Sequence, residues 1–243
     1  MKLVNKRILI TGGTSGIGLE LVRQLSPDND VIVISRSAAL AGELPNDANV
    51  VKVFRANLAN QAQVTSVANT IVEQYSHIDV LINNAAIQNT PEFLSDEFEF
   101  EGIRKEIDIN FASLCQLTYL MLPLLLKDDD SVILNVNTGL ALAPKRSSAV
   151  YCATKGALNS FSQSLRYQLA DTNIHVQQAF LPLVETNMTQ GRGSGKLTAS
   201  EVAQSIKQGI EQGKVVNDIG KVKLLRVIQR VSPALAAKIM RNS

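Results

Sequence analysis

A tyrosine and a lysine stand four residues apart in the stretch AVYCATKGAL, at residues 149 to 158. Residues spaced i and i+4 share one face of a helix, so Tyr151 and Lys155 should point the same way if this stretch is helical. A free phenol has a pKa of about 10, and a neighbouring ammonium group favours the phenolate and lowers that pKa. Such a pair could protonate a carbonyl oxygen, or remove the proton of an alcohol, near working pH.

Taken alone, a tyrosine and a lysine at this spacing are more often a structural aromatic and a solvated cation, so the rest of the chain must decide. The 243 residues are 45% hydrophobic and 19% charged, which suits one soluble domain with a sizeable core. The net charge of +2 is too small to indicate a nucleic-acid partner.

The cysteines and histidines indicate no metal site. Cys115 and Cys152 are far apart in apolar surroundings, which predicts no disulfide framework and fits a reducing compartment. His77 and His175 have no second ligand at metal-binding spacing. The first residues do not resemble a signal peptide, and the most apolar stretch, 119 to 126, is shorter than the roughly 20 residues of a membrane span. We therefore expect a cytoplasmic protein without a metal.

Short β-branched runs alternate with longer amphipathic runs along the chain. The candidate strands are residues 7–12, 31–35, 50–56, 78–85, 131–137 and 174–181. The candidate helices are residues 16–26, 60–75, 101–127, 149–171 and 198–212. This alternation, with nearly continuous apolar strands, predicts an α/β fold with a doubly wound parallel sheet of the Rossmann type, in a single domain over residues 1–220.

The sequence RILITGGTSGIGLELVRQL is a strand, a glycine-rich turn and a helix. Gly12 would allow a tight exit from the strand, Gly16 would let the backbone approach a phosphate, and Gly18 would let helix and strand touch. A pyrophosphate would then lie at the helix N-terminus. A lone glycine cluster is a weak signal, but its place at the first strand of an α/β chain indicates nucleotide binding.

The end of the second candidate strand indicates which dinucleotide binds. An acidic residue there would bond the ribose 2′-hydroxyl of NAD, but this chain has Ser35, Arg36 and Ser37. A guanidinium suits a phosphate, so Arg36 favours NADP over NAD. The alternative is that Arg36 is a solvated surface residue.

Four motifs in chain order resemble those of the short-chain dehydrogenase/reductase family, classical type. TGGTSGIG (11–18) matches the family's TGxxxGxG loop, NNAA (83–86) its NNAG stretch, YCATK (151–155) its YxxxK pair, and PLVET (182–186) its PGxxxT segment. Within the family the chain is most similar to the DltE-like branch. The resemblance implies an NAD(P)-dependent oxidoreductase acting on CH–OH groups, with a small carbonyl or alcohol substrate, and a homodimer or homotetramer.

The resemblance also implies roles for single residues. Tyr151 would be the general acid/base, and Lys155 would lower its pKa and bond the nicotinamide ribose. Asn110 would hold a water in a proton relay behind the lysine, and Thr186 would contact the nicotinamide carboxamide. The residues expected to bind the cofactor are Gly12, Thr14, Ser15, Gly16, Ile17, Gly18, Arg36, Asn57, Leu58, Asn84, Ala85, Tyr151, Lys155 and Thr186.

Four positions depart from the family's pattern. Thr138 stands where the family has a serine, thirteen residues before the tyrosine; it keeps the hydroxyl that can bond a substrate oxygen, but its methyl narrows the pocket. Asn57 replaces an aspartate, so an amide would recognise the adenine. Ala86 and Leu183 replace glycines, and Leu183 is expected to change the floor of the nicotinamide site.

Two segments depart from the strand-helix alternation. Residues 187–201 are rich in Gly, Ser and Thr and form either a lid over the ligand crevice or a plain surface loop. Residues 221–243 form a basic amphipathic helical tail, with a second short helix starting at Pro233. Its apolar residues at helical spacing, with Arg226 and Arg230 on another face, are Leu224, Ile228, Val231, Leu235 and Ile239. Such a tail can pack on its own domain, on a partner subunit or, less readily, on an anionic membrane.

The preferred hypothesis is therefore an NADP(H)-dependent oxidoreductase that interconverts a carbonyl and an alcohol. Two alternatives remain open. One is a dinucleotide-binding sensor or scaffold without chemistry, which has no need of the Tyr151, Lys155 and Asn110 set. The other is a lipid-metabolising reductase held at a membrane by the tail.

Overall fold

A parallel β-sheet forms the centre of the computed structural model, which describes residues 1–37, 49 and 51–241. The strands are β1 (Arg7–Thr11), β2 (Asp30–Ser35), β3 (Val51–Arg55), β4 (Val80–Asn83), β5 (Ser131–Thr138), β6 (Ile174–Leu181), β7 (Val184–Glu185), β8 (Leu197–Thr198) and β9 (Val216–Asp218). Seven of them make one sheet in the order β3-β2-β1-β4-β5-β6-β9, and β7 pairs with β8 separately. The strand order reverses between β1 and β4, and ligands of open α/β sheets bind at such a point.

Helices cover both faces of this sheet. They are α1 (Gly16–Leu25), α2 (Gln61–Gln74), α3 (Phe100–Ile107), α4 (Ser113–Leu125), α5 (Ala149–Gln168), α6 (Ala199–Glu211), α7 (Val222–Val231) and α8 (Pro233–Met240). Successive strand residues point to opposite faces, so Ile8 and Ile10 pack with α1 and α6 while Leu9 packs with α2 and α4. Each fully buried side chain of this kind contributes roughly 1.5–3 kcal/mol. The predicted doubly wound single domain is confirmed.

All six predicted strands form. The strands that were not predicted lie where the sequence shows no regular spacing of apolar residues. Val50, the first residue of the third predicted strand, lies outside the described residues. Strand β9 was not predicted, because VND offers a single apolar residue to the pattern. The short β7–β8 pair was not predicted either, since each strand has only two residues.

The predicted helix 101–127 is divided by a π-helical turn at Asp108–Ala112, between α3 and α4. Together these segments run from Phe100 to Leu125 and contain an 18-residue window with a mean hydropathy of 1.2, so by length and composition the stretch could cross a membrane. Leu117 and Met121 are fully buried against the sheet. The stretch is therefore packed as a core helix of this domain.

The C-terminal tail forms α7 and α8, and the second helix begins at Pro233 as predicted. Of the apolar residues at helical spacing in the tail, Leu224 and Val231 are exposed, whereas Val222 and Leu225, which are not in that set, are buried against the domain. The other exposed apolar residues of the tail are Val227, Leu235 and Ile239.

Arg226 packs against the domain. Both oxygens of Asp218 accept hydrogen bonds from its guanidinium, which also lies 4.4 Å from the centre of the Phe180 ring. This ion pair anchors α7 to β9. Which face of a tail helix is buried depends on the surface of the domain that it covers. Here that surface offers a carboxylate and an aromatic ring to Arg226, which the sequence of the helix alone does not show.

Candidate active site

The carboxyl ends of the sheet strands open into a cleft of about 250 Å³. Loops after β1, β2, β4 and β6 line it together with α5. The predicted site residues among its lining are Gly12, Thr14, Ser15, Gly16, Ile17, Gly18, Arg36, Leu58, Asn84, Ala85, Tyr151, Lys155 and Thr186. Three predicted residues, Asn57, Asn110 and Thr138, are not part of the lining. Residues distant in sequence thus meet in one cleft at the expected edge of the sheet.

The glycine-rich turn has the backbone that a close phosphate approach requires. Gly12 and Gly16 have φ angles of +69° and +53°, a region that side chains other than glycine seldom adopt. A Cβ at Gly18 would lie 2.1 Å from the carbonyl oxygen of Gly12, so α1 can lie this close to the turn only without a side chain there. These contacts bring the N-terminus of α1 to the cleft.

The first turn of α1 is suited to an anion. Ser15 precedes the helix in an extended conformation and makes no side-chain capping hydrogen bond, and the first turn carries no acidic residue. The free N–H groups and the helix dipole therefore favour a negatively charged ligand.

Thr11 was missed by the sequence analysis although it begins the TGG motif. Its side chain is fully buried, and its Oγ1 accepts hydrogen bonds from the backbone N–H groups of Asn84 and Ala85, both at 3.0 Å. The Asn84 side chain in turn donates to the Thr11 carbonyl at 3.0 Å. These bonds fasten the loop after β4 to the glycine-rich turn, so Asn84 positions the turn. The signal was the threonine itself, whose hydroxyl can bridge two backbone groups.

Two arginines lie at the ends of neighbouring strands. Arg36 follows β2 directly, is exposed and lines the cleft, while Arg55 ends β3 and donates from Nε to the Arg36 carbonyl at 3.2 Å. Thr14 and Ser35 complete this corner with a 2.7 Å hydrogen bond between their hydroxyls. The sequence analysis missed Arg55, because its relation to Arg36 depends on the pairing of β2 with β3.

Asn57 does not take the position predicted for it. Its Oδ1 accepts a hydrogen bond from the Ala59 backbone at 3.1 Å, and its own N–H donates to Gln63. The amide is therefore used in the local turn before α2, which is a common use of asparagine. Leu58, its neighbour, is buried and does line the cleft.

Tyr151 and Lys155 lie in the second half of the site, on one face of α5. Both side chains are buried, and the Lys155 Nζ lies 5.9 Å from the centre of the Tyr151 ring. The ammonium group donates a hydrogen bond to the Val136 carbonyl at 2.9 Å. The helix that the i, i+4 spacing predicted is present, and it presents both groups to the cleft.

The ionisation of this pair differs from the expectation that the ammonium group lowers the pKa of the phenol. Burial raises the pKa of Tyr151, because the phenolate would lose its hydration, and the nearby Cys152 and Glu106 add to the effect while Arg192 opposes it. Burial also lowers the pKa of Lys155 to about 8. At neutral pH the site therefore holds a protonated phenol beside a lysine that is still mostly charged.

Asn110 lies in the π-helical turn and is fully buried. Its side chain exchanges two hydrogen bonds of 2.8 Å with the backbone of Ile87, and its Nδ2 also lies 3.3 Å from the Thr154 hydroxyl. The turn thereby holds the loop after β4 against α5. π-helical turns of this kind are frequent at functional sites.

Thr138 ends β5 and caps the short turn that follows it. Its Oγ1 accepts a hydrogen bond from the Leu140 N–H at 3.3 Å, and its own N–H donates to Asn137. The hydroxyl hydrogen remains available as a donor, since a threonine can accept and donate at once.

Leu183 does not form the floor of the cleft as predicted. It is 39% exposed, and a Cβ at Gly193 would lie 2.4 Å from its Cδ2. Leu183 therefore packs against the 187–201 segment. Within that segment, Asn187 and Met188 line the cleft, which fits the predicted lid better than a plain surface loop. Ala86 also lines the cleft.

These features define a dinucleotide-binding α/β oxidoreductase. The family model described as short chain dehydrogenase matches residues 6–197, and the chain belongs to this family, whose members act on alcohol and carbonyl groups. The chain is 35% identical over 221 residues to the uncharacterized oxidoreductase DltE of Bacillus subtilis strain 168, covering 88% of each protein. The family and the branch predicted from the motifs are confirmed.

Solved structures support the fold. A short chain dehydrogenase from Burkholderia cenocepacia J2315 in complex with NADP has a TM-score of 0.87 and 21% identity, over 99% of both chains. The 3-ketoacyl-(acyl-carrier-protein) reductase from Brucella melitensis complexed with NADH has a TM-score of 0.78 and 23% identity, over 90% of this chain and 98% of that one.

Proposed function

We propose that this chain is an NADP(H)-dependent oxidoreductase that interconverts a carbonyl and an alcohol, with Tyr151 as the group that transfers the proton. The observation that carries the proposal is the burial of Tyr151 and Lys155 in the same cleft as the glycine-rich turn. A sensor or scaffold would need the turn but not a buried phenol and ammonium.

The turn fits a dinucleotide, because its glycine backbone leaves space for a phosphate beside the free N–H groups of α1. The bound cofactor would supply or accept the hydride. Tyr151 would donate its proton to the carbonyl oxygen, and its raised pKa keeps the phenol protonated until then. Lys155 would stabilise the phenolate that remains. Thr138 would donate a hydrogen bond to the same substrate oxygen.

A panel of aldehydes, ketones and alcohols tests this reaction, with NADPH or NADP and with NADH or NAD in parallel. The absorbance of the reduced nicotinamide gives the rate. We expect substrate-dependent oxidation or reduction of the cofactor, faster with the phosphorylated form. Tight NADPH binding without turnover of any compound would favour the sensor.

The preference for NADP rests on Arg36 and its neighbour Arg55. A charge-assisted hydrogen bond contributes roughly 1.5–3 kcal/mol, so Arg36→Ser should lower the NADPH-to-NADH ratio of kcat/KM by about 10- to 100-fold. Arg104→Ser is the matched control, because Arg104 is a strongly exposed arginine paired with Asp108. An unchanged ratio in Arg36→Ser would show that the arginine is only a solvated surface residue.

A second candidate, a reductase of lipid-like substrates at a membrane surface, is favoured by the exposed apolar residues of α7 and α8. Exposed basic residues, including Lys223, Arg230 and Lys238, lie beside them. Cosedimentation with phosphatidylcholine vesicles, with and without phosphatidylserine, tests it. Binding that requires phosphatidylserine and is lost when these three residues are changed to Glu would support the membrane-bound reductase. Absence of binding would leave the soluble reductase.

We also propose that the chain forms a homodimer or homotetramer through α4 and α5. Tyr119 on α4 is 73% exposed and Tyr167 on α5 is 68% exposed, which is unusual for such large side chains on central helices. Sedimentation equilibrium measures the mass directly, and a monomer at micromolar concentration would contradict the proposal.

A further inference from the structure

A second cationic group lies beside Tyr151, outside the residues used so far. Arg192 belongs to the 187–201 segment, and its Nη1 donates a hydrogen bond to the Gln88 side chain at 3.0 Å. Gln88 donates in turn to the Ser148 hydroxyl at 3.1 Å. Ser148 immediately precedes α5, whose first turn contains Tyr151. Arg192 is thus bridged through one side chain to the start of the catalytic helix.

Arg192 also contacts a residue of the cleft lining. Its Nη2 donates to the backbone carbonyl of Met188, which lines the cleft together with Tyr151. Its positive charge is close enough to oppose the burial that raises the pKa of Tyr151. Arg192 is half-buried in this position.

Lys145 provides a second positive charge in the same region. Its backbone N–H and its charge oppose the burial that raises the pKa of Cys152, the residue after Tyr151. Burial lowers the pKa of Lys145, and the charge of Arg192 lowers it further. In the chain, Lys145 lies three residues before Ser148, to which Gln88 links Arg192. Its Nζ makes no hydrogen bond to the residues that the structure describes.

Within the described part of the chain, neither cation has a carboxylate partner. Across residues 1–37, 49 and 51–241, no Asp or Glu oxygen lies within 4.0 Å of Arg192 or Lys145. Five other arginines of the described residues do have such partners, including Arg146, which follows Lys145 and pairs with Glu92 at 3.0 Å. The Glu92 carboxylate is therefore already paired.

Glu106 is the acidic group that acts on Tyr151, but it does not neutralise this pair. It is 2% exposed, its Oε1 accepts the Asn89 N–H at 2.7 Å, and burial raises its pKa. Two positive charges that act on each other and are partly removed from water are held at a cost that an anionic ligand would relieve.

We propose that the substrate carries an anionic group, a carboxylate or a phosphate, which Arg192 and Lys145 bind while Tyr151 addresses the carbonyl or alcohol. This inference rests on the proposed function and specifies its substrate class. Arg192 presents a planar guanidinium that suits either anion, and Lys145 acts as a point charge. Because Arg192 lies in the 187–201 segment, the anion would also hold that segment over the cleft.

Matched pairs of substrates that differ only in charge test the proposal. The probes are 2-oxo and 3-oxo acids with their methyl esters, and dihydroxyacetone phosphate with dihydroxyacetone, each reduced with NADPH. We expect kcat/KM to be at least tenfold higher for the anionic member of one type of pair. The acid pairs and the phosphate pair show which anion is used. Equal or better reduction of the neutral members would overturn the inference but leave the proposed reaction standing, whereas no turnover of any carbonyl would refute the proposed reaction itself.

Variants of Arg192 and Lys145 distinguish anion binding from a purely structural role of Arg192. A charge-assisted hydrogen bond contributes roughly 1.5–3 kcal/mol, so Arg192→Gln should lower the anionic-to-neutral ratio of kcat/KM by about 10- to 100-fold. Arg192→Lys should restore part of that ratio, and Lys145→Met should lower it further. Arg146→Gln is the matched control and should leave the ratio unchanged. If Arg192→Gln lowers kcat/KM equally for the anionic and the neutral member of a pair, Arg192 only holds the 187–201 segment in place and the proposal is wrong.

Discussion

Gly18→Ala tests how the glycine-rich turn is built. The new Cβ would lie 2.1 Å from the Gly12 carbonyl oxygen and 2.6 Å from the Asn84 Nδ2. The Gly12 oxygen is backbone and cannot rotate away, so α1 must shift from the turn. Overpacking of this kind costs about 1–3 kcal/mol, and a domain of this size loses about 2–4 °C of Tm for each kcal/mol.

The assay combines thermal unfolding with NADPH titration by fluorescence. We expect Gly18→Ala to lower Tm and to weaken NADPH binding at least tenfold, because the shift moves the N–H groups that would face the phosphates. Gly156→Ala is the matched control: this glycine is helical, in α5, and a Cβ there meets nothing within 4 Å. The free energy of unfolding of Gly156→Ala should rise by about 0.5–1 kcal/mol. A Gly18→Ala variant with wild-type Tm and wild-type NADPH affinity would refute the close packing of turn and helix.

Two further variants test the buried charges. Because the pKa of Lys155 is lowered, the native protein binds fewer protons than the unfolded chain between pH 8 and 10, so stability should rise with pH. In urea unfolding, the free energy of unfolding of the wild type should rise by roughly 2 kcal/mol over this range relative to that of Lys155→Met. Parallel pH dependences of the two proteins would contradict the lowered pKa. Asp218→Asn should cost about 1–3 kcal/mol in the same assay, because it leaves Arg226 half-buried without its partner. The control Asp108→Asn, whose partner Arg104 is exposed, should change stability little. An Asp218→Asn variant as stable as the control would show that the tail does not depend on this ion pair.

The fold and the centre of the site follow from local patterns in the sequence. Strand period, the glycine-rich turn and the i, i+4 pair of Tyr151 and Lys155 each depend on residues close in the chain, so spacing alone predicts them. The bridge from Arg192 through Gln88 joins residues 104 apart, and the next bond, to Ser148, joins residues 60 apart. No local spacing reports such contacts.

Burial explains why the expected lowering of the Tyr151 pKa was wrong. The spacing of Tyr151 and Lys155 correctly predicted that the two groups share a face of α5, but the pKa of the phenol depends mainly on how far the site excludes water. Asn57 failed for a different reason: an asparagine before a helix can bond its own turn, and here the Ala59 N–H takes its oxygen. Leu183 packs against Gly193 because the 187–201 segment passes directly over it.

Tyr151→Phe tests the central claim most directly. The change removes only the hydroxyl, so the buried ring and the cleft should keep their shape. General acid–base catalysis contributes roughly 10²- to 10⁴-fold, and we expect kcat for the best carbonyl substrate to fall by that amount while the Kd for NADPH stays within about twofold of wild type. A variant that binds NADPH normally and keeps the wild-type kcat would contradict the role of Tyr151 in proton transfer.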